Sequence, residues 1–98
     1  MIIEIQCLPN PPGTAEQRYA HVEAAIAVVQ ASGIRYEVGA LGTTIEGEPD
    51  EAWPVARAAH EACLRAGAAS VVTVIKVAEA ATEANRVGID DLIGKYRE

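Results

Sequence analysis

Residues 70–77, SVVTVIKV, restrict the fold of this chain more than any other segment. They are rich in β-branched side chains, which suit a pleated strand and crowd a helix. One alternate set is Val71, Thr73, Ile75 and Val77; the other is Val72, Val74 and Lys76. A strand nearly apolar on both sides calls for cover on both sides. The expected architecture is therefore a sheet with helices on one face and something else, most simply a second copy of the chain, on the other.

The rest of the chain supplies partners for that strand. Residues 2–8, IIEIQCL, alternate, with Ile3, Ile5 and Cys7 on one side and Glu4 and Gln6 on the other. That is the pattern of a half-buried strand, and Asn10, Pro11, Pro12 and Gly13 end it in a turn. Thr14 and Gln17 have capping-box spacing, so a helix is expected from Thr14, carried by Val22, Ala25, Ile26 and Val29 and stopped at Gly33. Residues 34–48 read as two strands around a break at Leu41-Gly42. Asp50 is a good N-cap for a second helix, with Glu51 and Pro54 in its first turn. Trp53, Ala56, His60, Cys63 and Leu64 form its expected inner stripe, with Trp53 as a core plug, and Gly67 ends it. Residues 78–88 show no period, and residues 89–96 suit a short terminal helix.

The order β-α-β-β-α-β plus an extra helix is the ferredoxin-like arrangement, an α+β two-layer sandwich on an antiparallel sheet. At 98 residues the chain forms one domain, 1–98. Right-handed crossovers put both helices on one face of the sheet. The other face should then carry Glu4, Gln6, Glu37, Thr44 and Glu46, with Thr73 or Lys76 from the last strand according to its register. Lys76 reads best as an ion-pair partner of Glu4 across neighbouring strands.

Composition excludes several functions. The net charge is −6, and no stretch is basic enough to neutralise a run of phosphates, so no nucleic-acid partner is expected. No apolar run reaches the roughly 20 residues that span a bilayer. The N-terminus lacks the basic start of a signal peptide, so the expected location is cytoplasmic. Cys7 and Cys63 read as reduced packing thiols. No residues have metal-ligand or phosphate-loop spacing, so neither a metal nor a cofactor is expected. His60 reads as a hydrogen-bonded core histidine. His60 and Glu61 form the one acid/base pair, but neighbouring helix positions point about 100° apart. No catalytic residue is therefore assigned, and the chain is expected not to be an enzyme.

The strip from Tyr36 to Glu48, with its Thr-Thr-Ile-Glu-Gly run at residues 43–47, resembles the small ferredoxin-like thiamine-binding proteins. The Ala59-His60-Glu61-Ala62 run and residues 71–77 resemble them too, and the likeness spans residues 1–77. It implies a non-enzymatic binder of thiamine or its hydroxymethylpyrimidine part, assembled into homodimers or homotetramers by sheet packing. The ligand, cationic or pyrimidine in kind, would sit on the open sheet face near an oligomer interface. There Glu37 would accept from the exocyclic amine, Glu46 would balance the thiazolium, and Thr43 or Thr44 would offer a hydroxyl. Charge-assisted hydrogen bonds of this kind are about twice as strong as neutral ones. The alternative is an oligomeric structural or regulatory module without a small ligand, since this architecture hosts many functions.

Overall fold

A computed structural model describes residues 1–97. The chain runs β1 (Ile2–Asn10), α1 (Ala20–Ala31), β2 (Arg35–Val38), β3 (Thr43–Glu46), α2 (Pro49–Arg65), β4 (Ser70–Ala78) and α3 (Ile89–Ile93), with single 3-10 turns at Glu83–Asn85 and Gly94–Tyr96. The sheet order is β2-β3-β1-β4, and every pairing is antiparallel. This is the ferredoxin-like order expected from the sequence. The α1 and α2 helices pack together across one face of the sheet.

Register decides which side chains share a face. Ile3 pairs with Ile45 and Val77, Ile5 with Thr43 and Ile75, and Cys7 with Thr73. These face the helices, where Ile3, Ile45, Val29 and Cys63 are the largest fully buried side chains. Glu4 pairs with Thr44 and Lys76, and Thr44 with Glu37, so these four share the opposite face. Of the two register options for β4, Lys76 is thus on the open face and Thr73 on the helix face.

Four local expectations are corrected. The α1 helix begins at Ala20, not Thr14. The Thr14 hydroxyl does accept from the Gln17 N–H (3.1 Å), but the Thr14 N–H donates back to the Gln17 carbonyl, closing an isolated turn. The loop is pinned instead by buried His21, whose N–H donates to the Pro12 carbonyl and whose Nδ1 lies 2.7 Å from the Pro11 carbonyl. The α2 helix begins at Pro49 with Glu48 as its cap, not Asp50; the Glu48 N–H donates to Glu51 Oε1 at 3.2 Å. Pro at the first helical position sacrifices no hydrogen bond, so the chain turns helical one residue earlier. Pro54 therefore lies beyond the first turn.

The buried residues of α2 are Ala52, Ala56, Ala59, Ala62 and Cys63, while Trp53 is 46 % exposed and Leu64, three turns further on, is exposed as well. Small side chains let the helix sit close to the sheet, which rotates the bulky residues outward; Trp53 is not a core plug. Finally, β4 is not covered on both faces. It is an edge strand, α2 shields one side only in part, and Val72 is 65 % exposed. Gly33 (φ +78°) and Gly67 (φ +123°) end the helices in the left-handed region where a Cβ is costly.

Candidate functional site

The open face of the sheet is divided. Over β2 and β3 it is closed by the C-terminal segment, which the sequence left without a role. Ile89, the first residue of α3, is fully packed at 2 % exposure. Its N–H donates to Glu46 Oε1 at 2.6 Å. A Cβ on the preceding Gly88 would fall 2.9 Å from that same oxygen, so the approach depends on glycine. Arg97 binds the Glu37 carboxylate through Nη2 and reaches Asp90 Oδ1 through Nη1 at 2.6 Å. Arg35 Nη2 meets the same Asp90 oxygen at 2.6 Å. The hydrogen bond from Arg97 and the charge of Arg35 hold the Asp90 carboxyl below the usual carboxylate range. Arg86 bridges Glu48 (2.5 Å) and Glu83 (3.0 Å), fastening the 79–88 connection to the start of α2. Residues 83–97 therefore form a strap, and the strap uses the two carboxylates that sequence reasoning offered to a ligand.

Glu37, Thr44 and Glu46 do share one face, as the alternation required. Thr43 does not join them, because it turns to the helix side of β3 and is 7 % exposed. There it lines a cavity of about 270 Å³ under the β2–β3 hairpin. Ile5 and Cys7 of β1 form part of the wall, α1 adds Val22, Ile26 and Val29, and the hairpin residues 39–42 lie over it. The hairpin is closed by a hydrogen bond from the Gly39 N–H to the Gly42 carbonyl (2.8 Å), which leaves Leu41 82 % exposed at the tip. Tyr19, which is exposed, stands at the cavity beside α1. The lining contains no ionisable acid or base other than the Cys7 thiol and the Tyr19 phenol. Hydroxyls come from Thr43 and Tyr19. Such a mixture, an apolar wall with few polar groups, is the usual make-up of a small-molecule site.

A larger cleft of about 670 Å³ lies where residues 78–87 cross the ends of β1 and β4. Its one cationic side chain, Arg86, is already held by Glu48 and Glu83, so it offers a ligand less than its size implies.

Behind the cavity, His60 Nδ1 lies 2.5 Å from the Thr73 hydroxyl, which in turn donates to Cys7 Sγ at 3.7 Å. His60 is thus hydrogen-bonded between layers. The Cys63 thiol is pushed up to about 11 by burial and then by neighbouring Cys7, which keeps it protonated and unreactive. Lys76 pairs with Glu4 at 3.6 Å. Among the described residues, no group of three or more His, Cys, Asp or Glu is placed to hold a metal ion, and no helix is long and apolar enough to cross a membrane.

The register and the cavity define a ferredoxin-like α+β domain with a small pocket between helix layer and sheet. The profile of the thiamine-binding protein family matches residues 3–96, and the chain belongs to that family. Among its relatives, a UPF0045 protein of Methanothermobacter thermautotrophicus is 34% identical over 90 residues, covering 90% of this chain and 89% of that one. Another, from Clostridium perfringens, is 28% identical over 95 residues, covering 97% and 95%. A Bacillus cereus structure of a domain of unknown function, DUF77, superposes with a TM-score of 0.83 at 40% identity, covering 99% of this chain and 89% of that one. A Thermotoga maritima structure, a candidate thiamine biosynthesis/salvage protein, shares the fold with a TM-score of 0.77 at 23% identity, covering 98% and 97%.

Proposed function

We propose that this chain is a non-enzymatic binding protein for thiamine or its hydroxymethylpyrimidine part, and that the pyrimidine enters the cavity under the β2–β3 hairpin. The observation that carries this reading is the placement of Thr43. This chain belongs to the thiamine-binding protein family, and the first threonine of its Thr-Thr-Ile-Glu-Gly run lies on the wall of an uncharged cavity with room for one substituted ring.

The charge pattern supports a division of the ligand. A permanent cation taken into an uncharged cavity would lose its hydration without a counter-ion, a large cost. A neutral aminopyrimidine loses far less, and its ring nitrogens and amine can exchange hydrogen bonds with the Thr43 hydroxyl and the hairpin backbone. The thiazolium would stay at the mouth, where the Tyr19 ring can face it; such cation–π contacts are worth about 0.5–1 kcal/mol when exposed. Glu37 and Glu46 then act by holding the strap. Assembly into homo-oligomers belongs to the same reading, because the open face over β1 and β4 keeps Leu8, Val72 and Val74 exposed.

The test is isothermal titration with thiamine and with hydroxymethylpyrimidine. Saturable binding of both, the pyrimidine within about threefold of thiamine (below 1 kcal/mol), is the expected result. Thr43→Val should weaken both about tenfold, the loss of one hydrogen bond to a buried group. Absence of binding by either compound at millimolar concentration would remove the proposal.

A further inference from the structure

The fold brings the two cysteines of the chain together, although 56 positions separate them (63 − 7). Cys7, on β1, is half-buried and stands on the wall of the cavity under the hairpin. Cys63, on α2, is fully buried in the core against which Cys7 packs. The α2 helix lies directly on β1, and its buried alanines let the two backbones approach closely. Ala59 lines the same cavity as Cys7, and its carbonyl accepts from the Cys63 thiol at 3.8 Å. After burial, the charge of Cys7 and a side-chain hydrogen bond with it are what push the Cys63 thiol up to about 11. Those two influences need the side chains to be neighbours.

The two sulfurs are placed for different roles. Cys7 Sγ accepts from the Thr73 hydroxyl at 3.7 Å, and Thr73 Oγ1 lies 2.5 Å from His60 Nδ1. Thr73 is the register partner of Cys7, and His60 stands one turn before Cys63 on α2. His60, Thr73 and Cys7 thus form an unbroken proton path that ends at a thiol on the cavity wall. A thiolate, not a thiol, is the nucleophile, so the cysteine with such a path is the reactive one of the pair. Cys63 is sealed from solvent and can react only with what forms on Cys7. The binding reading uses neither thiol.

We infer that Cys7 and Cys63 form a reversible disulfide when a small hydroperoxide enters the cavity, Cys7 reacting first and Cys63 resolving the product. Cys7 gives its proton to Thr73 Oγ1 while Thr73 passes its own to His60 Nδ1. The Cys7 sulfur attacks the outer oxygen of the hydroperoxide. The O–O bond breaks, the alcohol (water, from hydrogen peroxide) leaves with the proton held by His60, and Cys7 becomes a sulfenic acid. The Cys63 sulfur then attacks the Cys7 sulfur. The S–S bond forms, the S–O bond breaks, and the hydroxyl departs as water with the Cys63 proton. The two thiols lose two electrons in all, and the hydroperoxide takes them. A dithiol reductant reverses the bridge by exchange. The oxidised chain has β1 tied to α2 behind the cavity and no thiol on the cavity wall.

Hydrogen peroxide in small excess over the full chain is the probe. Intact mass should show the loss of two hydrogens, and the thiols titratable after denaturation should fall from two to none. Dithiothreitol should reverse both changes. Cys63→Ala should stop at Cys7, as a sulfenic acid that dimedone traps, and Cys7→Ala should leave Cys63 untouched. Thr73→Val should slow the loss of the first thiol at least about tenfold, the worth of one hydrogen bond to a charged group, while the bridge still forms. If a variant fails to fold by circular dichroism, proteolysis of the oxidised wild-type chain without reductant decides, and the Cys7 and Cys63 peptides should then run as one cross-linked species. Three results would overturn the inference: a folded chain that keeps both thiols, a sulfinic acid on Cys7 beside an untouched Cys63, or sulfur bridges formed only between chains. None of these outcomes depends on whether the cavity binds thiamine.

Discussion

The two edges of the sheet solve one problem in opposite ways. The β2 edge is four residues long and carries Arg35 and Glu37. Both charges are taken by the chain's own C-terminal strap, through Asp90 and Arg97. The β4 edge is nine residues long, and aliphatic side chains stand exposed on both of its faces. The first edge is finished within the chain, and the second keeps its outer backbone groups and its aliphatic side chains exposed. The comparison also bears on ligand binding. Carboxylates that look free in the sequence are consumed at the finished edge, so the ligand-binding reading moves through the sheet to its helix side.

The largest effect should come from the core beneath the finished edge. Ile45, fully buried on β3, anchors that half of the sheet. Ile45→Ala should cost about 2–5 kcal/mol, read by urea denaturation. A single transition that carries Trp53 fluorescence and far-ultraviolet dichroism together is expected; separate transitions would mean that the two halves of the sheet unfold independently. Ile89→Ala should come next, at about 2 kcal/mol or more, and should speed hydrogen exchange in residues 83–97 while leaving β4 unchanged. An equal response at both edges would break the comparison.

Smaller again is Arg97→Ala. The ion pairs of Arg97 are partly exposed, so the loss of stability should stay at or below about 1 kcal/mol. Because this substitution frees Glu37, it also asks whether a bare carboxylate there recruits thiamine; unchanged affinity is expected by titration.

Acid should act on the strap in a defined direction. The Asp90 carboxyl lies below its usual range in the folded chain. Its contribution is therefore complete above the unfolded value of about 3.9 and is lost as the pH falls through the lower folded value. The protection factor of the Ile89 amide, with the intrinsic pH dependence of exchange divided out, should be flat from neutrality to about pH 4 and fall below it. Lower protection already at pH 6 would assign the strap's hold to other groups.

Much of the fold was legible because period and turn chemistry are local. Alternation at residues 2–8 and 70–77, and the glycines after both helices, give the element order. The misread points are those where a local rule met a tertiary one. Thr14 and Gln17 form their turn, yet His21 takes the preceding backbone and delays the helix. Trp53 looked like a plug because it is large, but alanines give closer packing to the sheet. The alternation placed Glu37, Thr44 and Glu46 on one face correctly. It could not show that residues 83–97 return to cover them, because Arg97 and Ile89 lie 60 and 43 positions away from Glu37 and Glu46. Thr43 was named as a ligand contact for its hydroxyl; its parity with Ile45 was the signal that put it on the helix side.

Amide chemical-shift mapping with hydroxymethylpyrimidine tests most directly whether the ligand lies under the hairpin and not on the acid face. The account predicts saturable shifts at residues 39–43, Tyr19 and Val22, with Glu37, Ile89 and Arg97 unmoved. Shifts concentrated at Glu37, Glu46 and the strap, with the hairpin silent, would contradict it.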